Sequence, residues 1–276
     1  MRVSDFTKSG HQDTADAFRP RKSLGQNFLI SKDIAVLEAK YAKGMVVLEL
    51  GPGTGTLTAE LCKSAKRVIA IEKDHRLVER LDATLASDKL MLIGDDFFSV
   101  DFSELGRIDI MVSNIPYNLS SKVIYWLGGM NIPALICVQK EFAEHMTAKP
   151  GTRNYSKLSV VSSLRFRVHH VRDVPAGNFY PKPRVDSSLV YLVPKADPVT
   201  ESEEAAISLL MNHKKKRLAN AVIDSASALG IQKAEARTIS AEIAHRDSRT
   251  FKLPPEQILA AARQLNSLVD ALKRNR

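Results

Sequence analysis

Five short apolar runs constrain this chain most: residues 45–49, 68–71, 90–93, 108–112 and 134–138. Each is too short for a helix and is bounded by turn signals, so each reads as a strand. The stretches between them carry helical spacing, as with Leu57 and Leu61, the segment 74–86, and the segment 122–127. Strands buried on both faces are continuously apolar rather than alternating. The pattern predicts an α/β architecture built on a mostly parallel sheet with helices on its faces. The runs near 158–173 and 187–193 read as an antiparallel addition.

Upstream, Arg19, Arg21 and Lys22 precede the apolar segment Leu24-Gly25-Gln26-Asn27-Phe28-Leu29. Ser31 is placed to cap a helix carrying Ile34, Leu37 and Tyr41 on one face. Residues 1–18 show no periodicity and are expected to form a flexible N-terminal extension. The pattern changes around Pro194-Lys195-Ala196-Asp197-Pro198. From Glu201 onward Ile207, Leu210, Met211, Leu218 and Val222 recur at helical spacing. A boundary near residue 196 is expected, dividing a sheet domain over 19–195 from a small all-helical domain over 196–276.

Composition narrows the class. The hydrophobic share of 44% and charged share of 26% are those of a globular protein. No apolar run reaches the roughly 18 residues of a membrane span, and the polar start lacks a secretory core. A cytoplasmic protein without membrane contact is expected. The two cysteines, Cys62 and Cys137, lie far apart and outside any Cys/His cluster, so neither a disulfide framework nor a metal site is expected. The formal charge of +9 favours a polyanionic partner. Residues 140–195 hold ten Lys/Arg against four Asp/Glu.

Ligands of open parallel sheets sit beyond the carboxyl ends of the strands. Four features fall there. Glu49-Leu50-Gly51-Pro52-Gly53-Thr54-Gly55 follows the first strand, with glycines that permit a sharp turn and close backbone approach. Glu72 ends the second, where a carboxylate can accept from both ribose hydroxyls of an adenosine. Asp95 and Asp96 end the third, where either can read an adenine edge. Asn114 ends the fourth. A structural tight turn and a nicotinamide dinucleotide site compete for the glycine loop. The pattern here is Gly-x-Gly-x-Gly, with Thr56 where the dinucleotide fingerprint needs its third glycine.

Asn114-Ile115-Pro116-Tyr117 follows the fourth strand and resembles the Asn/Asp-Pro-Pro-Tyr/Phe motif of amino-methyltransferases, which alone could equally serve an RNA adenine, a DNA adenine or a glutamine side chain. The exocyclic amine of adenine is a poor nucleophile because its lone pair is delocalised into the ring. Accepting both N–H hydrogens, here by the Asn114 side-chain oxygen and the Ile115 carbonyl, localises that lone pair. Pro116 fixes the backbone and biases Ile115 to an extended shape. Tyr117 offers a stacking face. Further on, Asn178-Phe179-Tyr180-Pro181-Lys182-Pro183-Arg184 reads as a rigid loop whose Phe179 can close the opposite face of the base.

Glu-x-Gly-x-Gly-x-Gly resembles the first motif of the class I methyltransferases, in which the glycine loop faces the methionine part of S-adenosylmethionine. Taken in order, Leu24 to Leu29, this glycine loop, Glu72, Gly94-Asp95, Asn-Ile-Pro-Tyr and the segment 174–187 resemble the ribosomal small-subunit adenine dimethyltransferases. The resemblance covers residues 19–195 closely and the helical tail loosely. It implies a Rossmann-like catalytic domain and S-adenosylmethionine as cofactor. It also implies dimethylation of two adjacent adenines near the 3′ end of small-subunit rRNA, with a role in subunit biogenesis.

By the same resemblance Asn27, Leu29, Gly51, Gly53, Glu72, Asp95 and Asn114 contact the cofactor. Asn114, Ile115, Pro116, Tyr117 and Phe179 hold the target adenine. The expected partner is small-subunit rRNA or an immature small-subunit particle, met by a monomer through a basic surface that includes Lys182, Arg184, Lys214, Lys215 and Arg217. The last three belong to the run 213–217, which reads as lying on a helix. Two rivals remain: a large-subunit rRNA adenine methylase of the antibiotic-resistance type, and a non-catalytic ribosome-assembly factor on the same fold.

Overall fold

The computed structural model describes residues 20–21, 24–196 and 199–274. The extension 1–18, Arg19 and Lys22 of the basic stretch, and Asp197 and Pro198 at the expected boundary lie outside the described residues. The described chain forms two compact units. One takes the residues up to Lys122 with Ile132–Lys140 and His170–Tyr191. The other takes Val123–Asn131, Glu141–His169 and the chain from Leu192 onward. The second unit therefore draws on two segments well upstream of residue 196.

The strands are β1 (Phe28–Leu29), β2 (Val46–Leu50), β3 (Arg67–Ile71), β4 (Leu90–Ile93), β5 (Ile110–Asn114), β6 (Ala134–Gln139), β7 (Phe166–Val174), β8 (Phe179–Tyr180) and β9 (Ser187–Pro194). Seven form one sheet in the order β4-β3-β2-β5-β6-β9-β7. The pairings β2–β3, β3–β4, β2–β5 and β5–β6 are parallel. Val47, Leu48, Val68, Ile69, Met111, Val112, Leu135 and Ile136 are all fully buried. Strands covered on both faces carry this unbroken apolar character. The chain winds from β2 to β3 and β4 on one side and resumes at β5 on the other. The gap beyond the carboxyl ends of β2 and β5 is thus the switch point where such sheets bind ligands.

The helix Lys32–Ala39 is capped as expected: Ser31 Oγ accepts from the Ile34 amide at 3.4 Å. Its buried face is wider than the expected one, with Leu37 and Tyr41 packed half-buried against the same core as Ile34. Ile34, Ala35, Glu38 and Ala39 are buried, whereas Leu37 and Tyr41 are only partly so. A carboxylate therefore stands on the apolar side.

Two further expectations are corrected. The run 158–165, expected in a strand, belongs to the helix Lys157–Arg165, and the strand begins only at Phe166. Ser159 explains this locally. Its hydroxyl accepts from the Ser156 amide at 3.0 Å and donates to the His145 carbonyl at 2.6 Å, anchoring the first turn. The basic run 213–217 is a turn between the helices Glu201–Asn212 and Leu218–Asp224, not part of either. Its carbonyls are taken by a neighbouring segment: Lys214 accepts from the Phe251 amide at 2.9 Å and Lys216 from the Thr250 amide at 3.0 Å. The amides that would close a helical turn over this run are spent elsewhere, Leu218 donating to the Ser248 carbonyl and Ala219 to the Arg246 carbonyl, both at 2.9 Å.

In the second unit Ile207, Leu210, Leu218 and Val222 are fully buried and Met211 nearly so. They pack with Ile258, Ala262 and Leu265 of the helix Pro255–Arg274. Tyr155 lies wholly inside this core, and its hydroxyl donates to the Leu253 carbonyl at 2.9 Å. No helix among the described residues is long and apolar enough to cross a membrane.

Candidate active site

The glycine loop is shaped by β2 and β3. The Gly51 amide donates to the Ile71 carbonyl at 2.9 Å, so the turn starts while still paired to the sheet. Gly53 has a φ of 59°, and a Cβ there would stand 2.8 Å from Cδ1 of Phe28. Only glycine combines this conformation with such close approach. The loop ends at Gly55, the N-cap of the helix Thr56–Ser64.

Glu72, just past β3, is buried and closes over this loop. One carboxylate oxygen accepts from the Gly53 amide at 3.2 Å and the other from the Asp74 amide at 2.9 Å. Burial raises its pKa, and the backbone donors oppose that rise. Asp74 caps the helix His75–Thr84, is gripped by Arg76 at 2.6 Å, and accepts from Gln26 Nε2 at 3.1 Å. Arg76 and Gln26 hold its carboxyl down at about 2. The Gln26-Asn27-Phe28 segment is thereby fastened beside the end of β3.

The two aspartates after β4 have different surroundings. Asp96 is committed: it pairs with Lys73 at 2.8 Å and accepts from the Phe98 amide at 2.9 Å. Asp95 is exposed, and among the described residues its carboxylate accepts only from the neighbouring Asp96 amide, at 2.6 Å.

A pocket of about 250 Å³ opens between these groups and is lined by Asn27, Gly51, Gly53, Glu72, Asp95 and Asn114. Phe97, Phe98 and Lys122 also line it, and the Lys122 ammonium sits 3.7 Å from the Phe98 ring centre. None of these three was singled out in the sequence. The run Asp96-Phe97-Phe98 directly after a strand end was the available signal. Leu29 lines a smaller adjoining recess with Asn27, Glu49, Gly53 and Asn114.

A second small recess holds Asn114, Ile115, Pro116, Tyr117 and Phe179 together with Asn27. The residues expected to hold the base thus meet in one place, and Asn27 and Asn114 are shared with the larger pocket. Phe179 arrives there through pairing that the sequence did not reveal. β1 and β8 form a two-stranded antiparallel ribbon with Phe28 opposite Tyr180 and Leu29 opposite Phe179. Tyr117 is fixed by its hydroxyl, 2.8 Å from Ser187 Oγ. Burial pushes its phenol pKa up, so the hydroxyl stays neutral.

Asn114 Nδ2 donates to Glu38 Oε2 at 3.2 Å, while Asn114 Oδ1 is buried without a hydrogen-bond partner among the described residues. Glu38 is fully buried, and burial pushes its carboxyl up to about 8. Glu49, at the end of β2, is likewise pushed up to about 8 by burial. Glu38 was missed in the sequence because a helical Glu ordinarily faces solvent. Its signal was position, four residues after Ile34 on the same face.

The expected basic surface is divided. Lys182 and Arg184 are exposed in the first unit. In the second unit Lys215, Lys216, Arg217, Arg249 and Lys252 line a groove of about 920 Å³ that also holds Asp224 and Asp247. Lys214 does not join them: its ammonium donates to the Tyr155 carbonyl at 2.5 Å. Among the described residues no cluster of three or more His, Cys, Asp or Glu is placed to hold a metal ion.

The pocket residues fit S-adenosylmethionine. The Glu72 oxygens, each used once by a backbone amide, keep lone pairs for hydroxyl donors. The unpartnered Asn114 Oδ1 is a buried acceptor awaiting a donor. With this sheet order and this distribution of acids and glycines at the strand ends, the protein falls among the class I methyltransferases.

Comparison with known proteins narrows this. Residues 17–266 match the ribosomal RNA adenine dimethylase family. A probable ribosomal RNA small subunit methyltransferase A from Pyrococcus abyssi is 40% identical over 245 residues, covering 87% of this chain and 90% of that protein. Its counterpart from Methanopyrus kandleri is 36% identical over 261 residues, covering 90% and 93%. Among solved structures, a dimethyladenosine transferase from Plasmodium falciparum superposes with a TM-score of 0.72 at 27% identity, covering 87% of this chain and 98% of that one. A 23S rRNA methyltransferase shares the fold, with a TM-score of 0.57 at 24% identity. The chain belongs to the ribosomal RNA adenine dimethylase family, whose members take their methyl groups from S-adenosylmethionine.

Proposed function

We propose that this protein dimethylates two adjacent adenines near the 3′ end of small-subunit rRNA during subunit maturation, in the cytoplasm and as a monomer. The observation that carries the site assignment is the shared recess of Asn114, Ile115, Tyr117 and Phe179, which opens beside the cofactor pocket through Asn27 and Asn114. Relatives named for the small subunit, at 36–40% identity, favour this substrate over the large-subunit alternative.

In this reading Glu72 accepts from the ribose hydroxyls and Asp95, the less committed of the two aspartates, reads the cofactor adenine. Asn27, Leu29, Gly51 and Gly53 surround the methionine end. S-adenosylmethionine, when bound, supplies an electrophilic methyl group on a sulfonium, so the protein needs no strong base. Asn114 Oδ1 and the Ile115 carbonyl accept the two hydrogens of the target amine and aim its lone pair. Pro116 holds that carbonyl in place. Tyr117 and Phe179 clamp the faces of the base, a contact of roughly 1–3 kcal/mol per stacked ring. Positioning of this kind supplies most of the rate.

The target adenine must leave its stack to enter, so an unpaired loop is the expected target. Lys182 and Arg184 lie near the RNA backbone in this reading, and the groove with Lys215, Arg217, Arg249 and Lys252 contacts phosphates of structured rRNA. The test is methyl transfer from labelled cofactor to immature small subunits by wild type and Asn114→Ala. Loss of transfer, at least a hundredfold, with the folded state retained is expected. Full activity in the variant would overturn the acceptor-site reading.

A further inference from the structure

The mechanism needs Asn114 to present its oxygen, not its nitrogen, to the amine. A side-chain amide has two faces of similar shape and opposite hydrogen-bond character, and rotation by half a turn exchanges them. Pro116 and the backbone do not decide between them. We propose that Glu38 is the positioning residue that sets this choice: by accepting from Asn114 Nδ2, it leaves Oδ1 as the acceptor for the target amine.

Three observations support this. The contact is direct, Nδ2 to Oε2 at 3.2 Å, and it bridges 76 positions of sequence. Glu38 is fully buried on the inner face of the helix Lys32–Ala39, where an apolar side chain would be the ordinary occupant. Asn114 Oδ1 is buried without a partner, so the amide's only hydrogen bond is the one Glu38 accepts, among the described residues. A buried acid costs stability unless its polar atoms are hydrogen-bonded, and the hydrogen bond of Glu38 among the described residues is the one to Asn114. Here it engages the amide's donor end and leaves Oδ1 as the end that can accept.

Burial holds Glu38 largely neutral near pH 7, with Glu49 and the Cys137 thiol as the titratable groups coupled to it. With its proton on Oε1, which has no hydrogen-bond partner among the described residues, Glu38 keeps Oε2 as the carbonyl oxygen that accepts from Nδ2, and the amide oxygen of glutamine accepts in the same way. The geometry therefore calls for an acceptor at this point rather than for a negative charge.

The inference rests on Asn114 as the amine-orienting residue, and the experiment separates the two ideas. Single-turnover methyl transfer and calorimetric cofactor binding are measured for wild type, Glu38→Gln, Glu38→Leu and Asn114→Ala. Leu fills the site but accepts nothing, and its amide partner is then free to turn. The expected result is at least a tenfold fall in transfer rate for Glu38→Leu, with cofactor affinity within about threefold of wild type. Glu38→Gln is expected to restore the rate to within about threefold. If Asn114→Ala is inactive while Glu38→Leu transfers at the wild-type rate, Glu38 does not set the amide. A Glu38→Gln rate as low as that of Glu38→Leu also overturns the inference, and does so even if the Leu variant fails to fold. If Asn114→Ala is fully active, the acceptor-site reading itself has failed.

Discussion

Replacing Gly53 by alanine separates the cost of a strained backbone from the cost of a crowded site. Gly53 and Gly44 have similar left-handed conformations, with φ of 59° and 72°. An added Cβ at Gly44 meets nothing within 4 Å, whereas at Gly53 it stands 2.8 Å from the Phe28 ring. Both variants carry the penalty of an L-residue in this region, roughly 1–2 kcal/mol. For a protein of this size that is a fall in Tm of about 2–8 °C. Gly53→Ala must also move Phe28, since carbon atoms settle at about 3.5–4.0 Å and the ring has to retreat by roughly 1 Å. Phe28 is 9% exposed and its backbone is paired to Tyr180, so the ring has little room. Overpacking of this sort costs about 1–3 kcal/mol more. Because Phe28 lines the pocket, cofactor affinity should fall at least about tenfold, near 1.4 kcal/mol. Thermal unfolding and calorimetric titration with S-adenosylmethionine measure the two quantities. Gly44→Ala should lose stability alone. Equal stability and equal cofactor affinity in the two variants would refute the crowding argument.

Removing the Tyr117 ring (Tyr117→Ala) should cost about 1–3 kcal/mol of base stacking, a five- to 150-fold loss in transfer efficiency, while Tyr117→Phe keeps the ring and most of the rate; steady-state kinetics on immature subunits read both. Lys215→Ala combined with Lys252→Ala should weaken rRNA binding and flatten its dependence on salt by roughly 0.7–0.9 per lost phosphate contact, and an unchanged salt slope would exclude the groove from the interface. Stability should fall as pH rises from about 4.5 through about 8, because Glu38 and Glu49 are protonated in the folded state and ionised in the unfolded state over that window. Urea unfolding across this range should show a shallower fall for Glu49→Gln. Asp74 acts in the opposite sense: with its carboxyl held at about 2, its contribution is present above about 3.8 and is lost as pH drops toward 2. Primer extension on both rRNAs should find methylation on the small-subunit RNA, and modification confined to the large subunit would reverse the substrate assignment.

The parallel sheet was legible because its strands are buried on both faces and need unbroken apolar runs. Leu90–Ile93 has the expected limits, and the strand expected over 108–112 is shifted two residues on, to Ile110–Asn114. The strand-end residues were legible for the same reason, since a glycine turn, an acid and Asn114 at successive strand ends share one edge of the sheet. What stayed hidden was set by tertiary contact. The helix at 157–165 depends on a hydroxyl bond to the distant His145 carbonyl. The basic turn at 213–217 depends on amides of residues 250 and 251. Glu38 is not legible in the sequence because its partner Asn114 is 76 positions away. Periodicity reports which face is apolar, and it cannot report a polar group enlisted on that face by another part of the chain.

The ribbon of β1 and β8 joins the two recesses mechanically. In the proposed reading Phe28 and Leu29 border the cofactor recess, and Phe179, the partner of Leu29, borders the base recess. A ligand that displaces one strand must carry the other with it or break their pairing. The two binding events are then linked thermodynamically, and linkage is reciprocal: whatever factor the cofactor applies to the affinity for an unstacked adenine, the adenine returns to the cofactor. In that reading a ribbon of two residues on each side couples the neighbouring sites by the same factor whichever ligand arrives first.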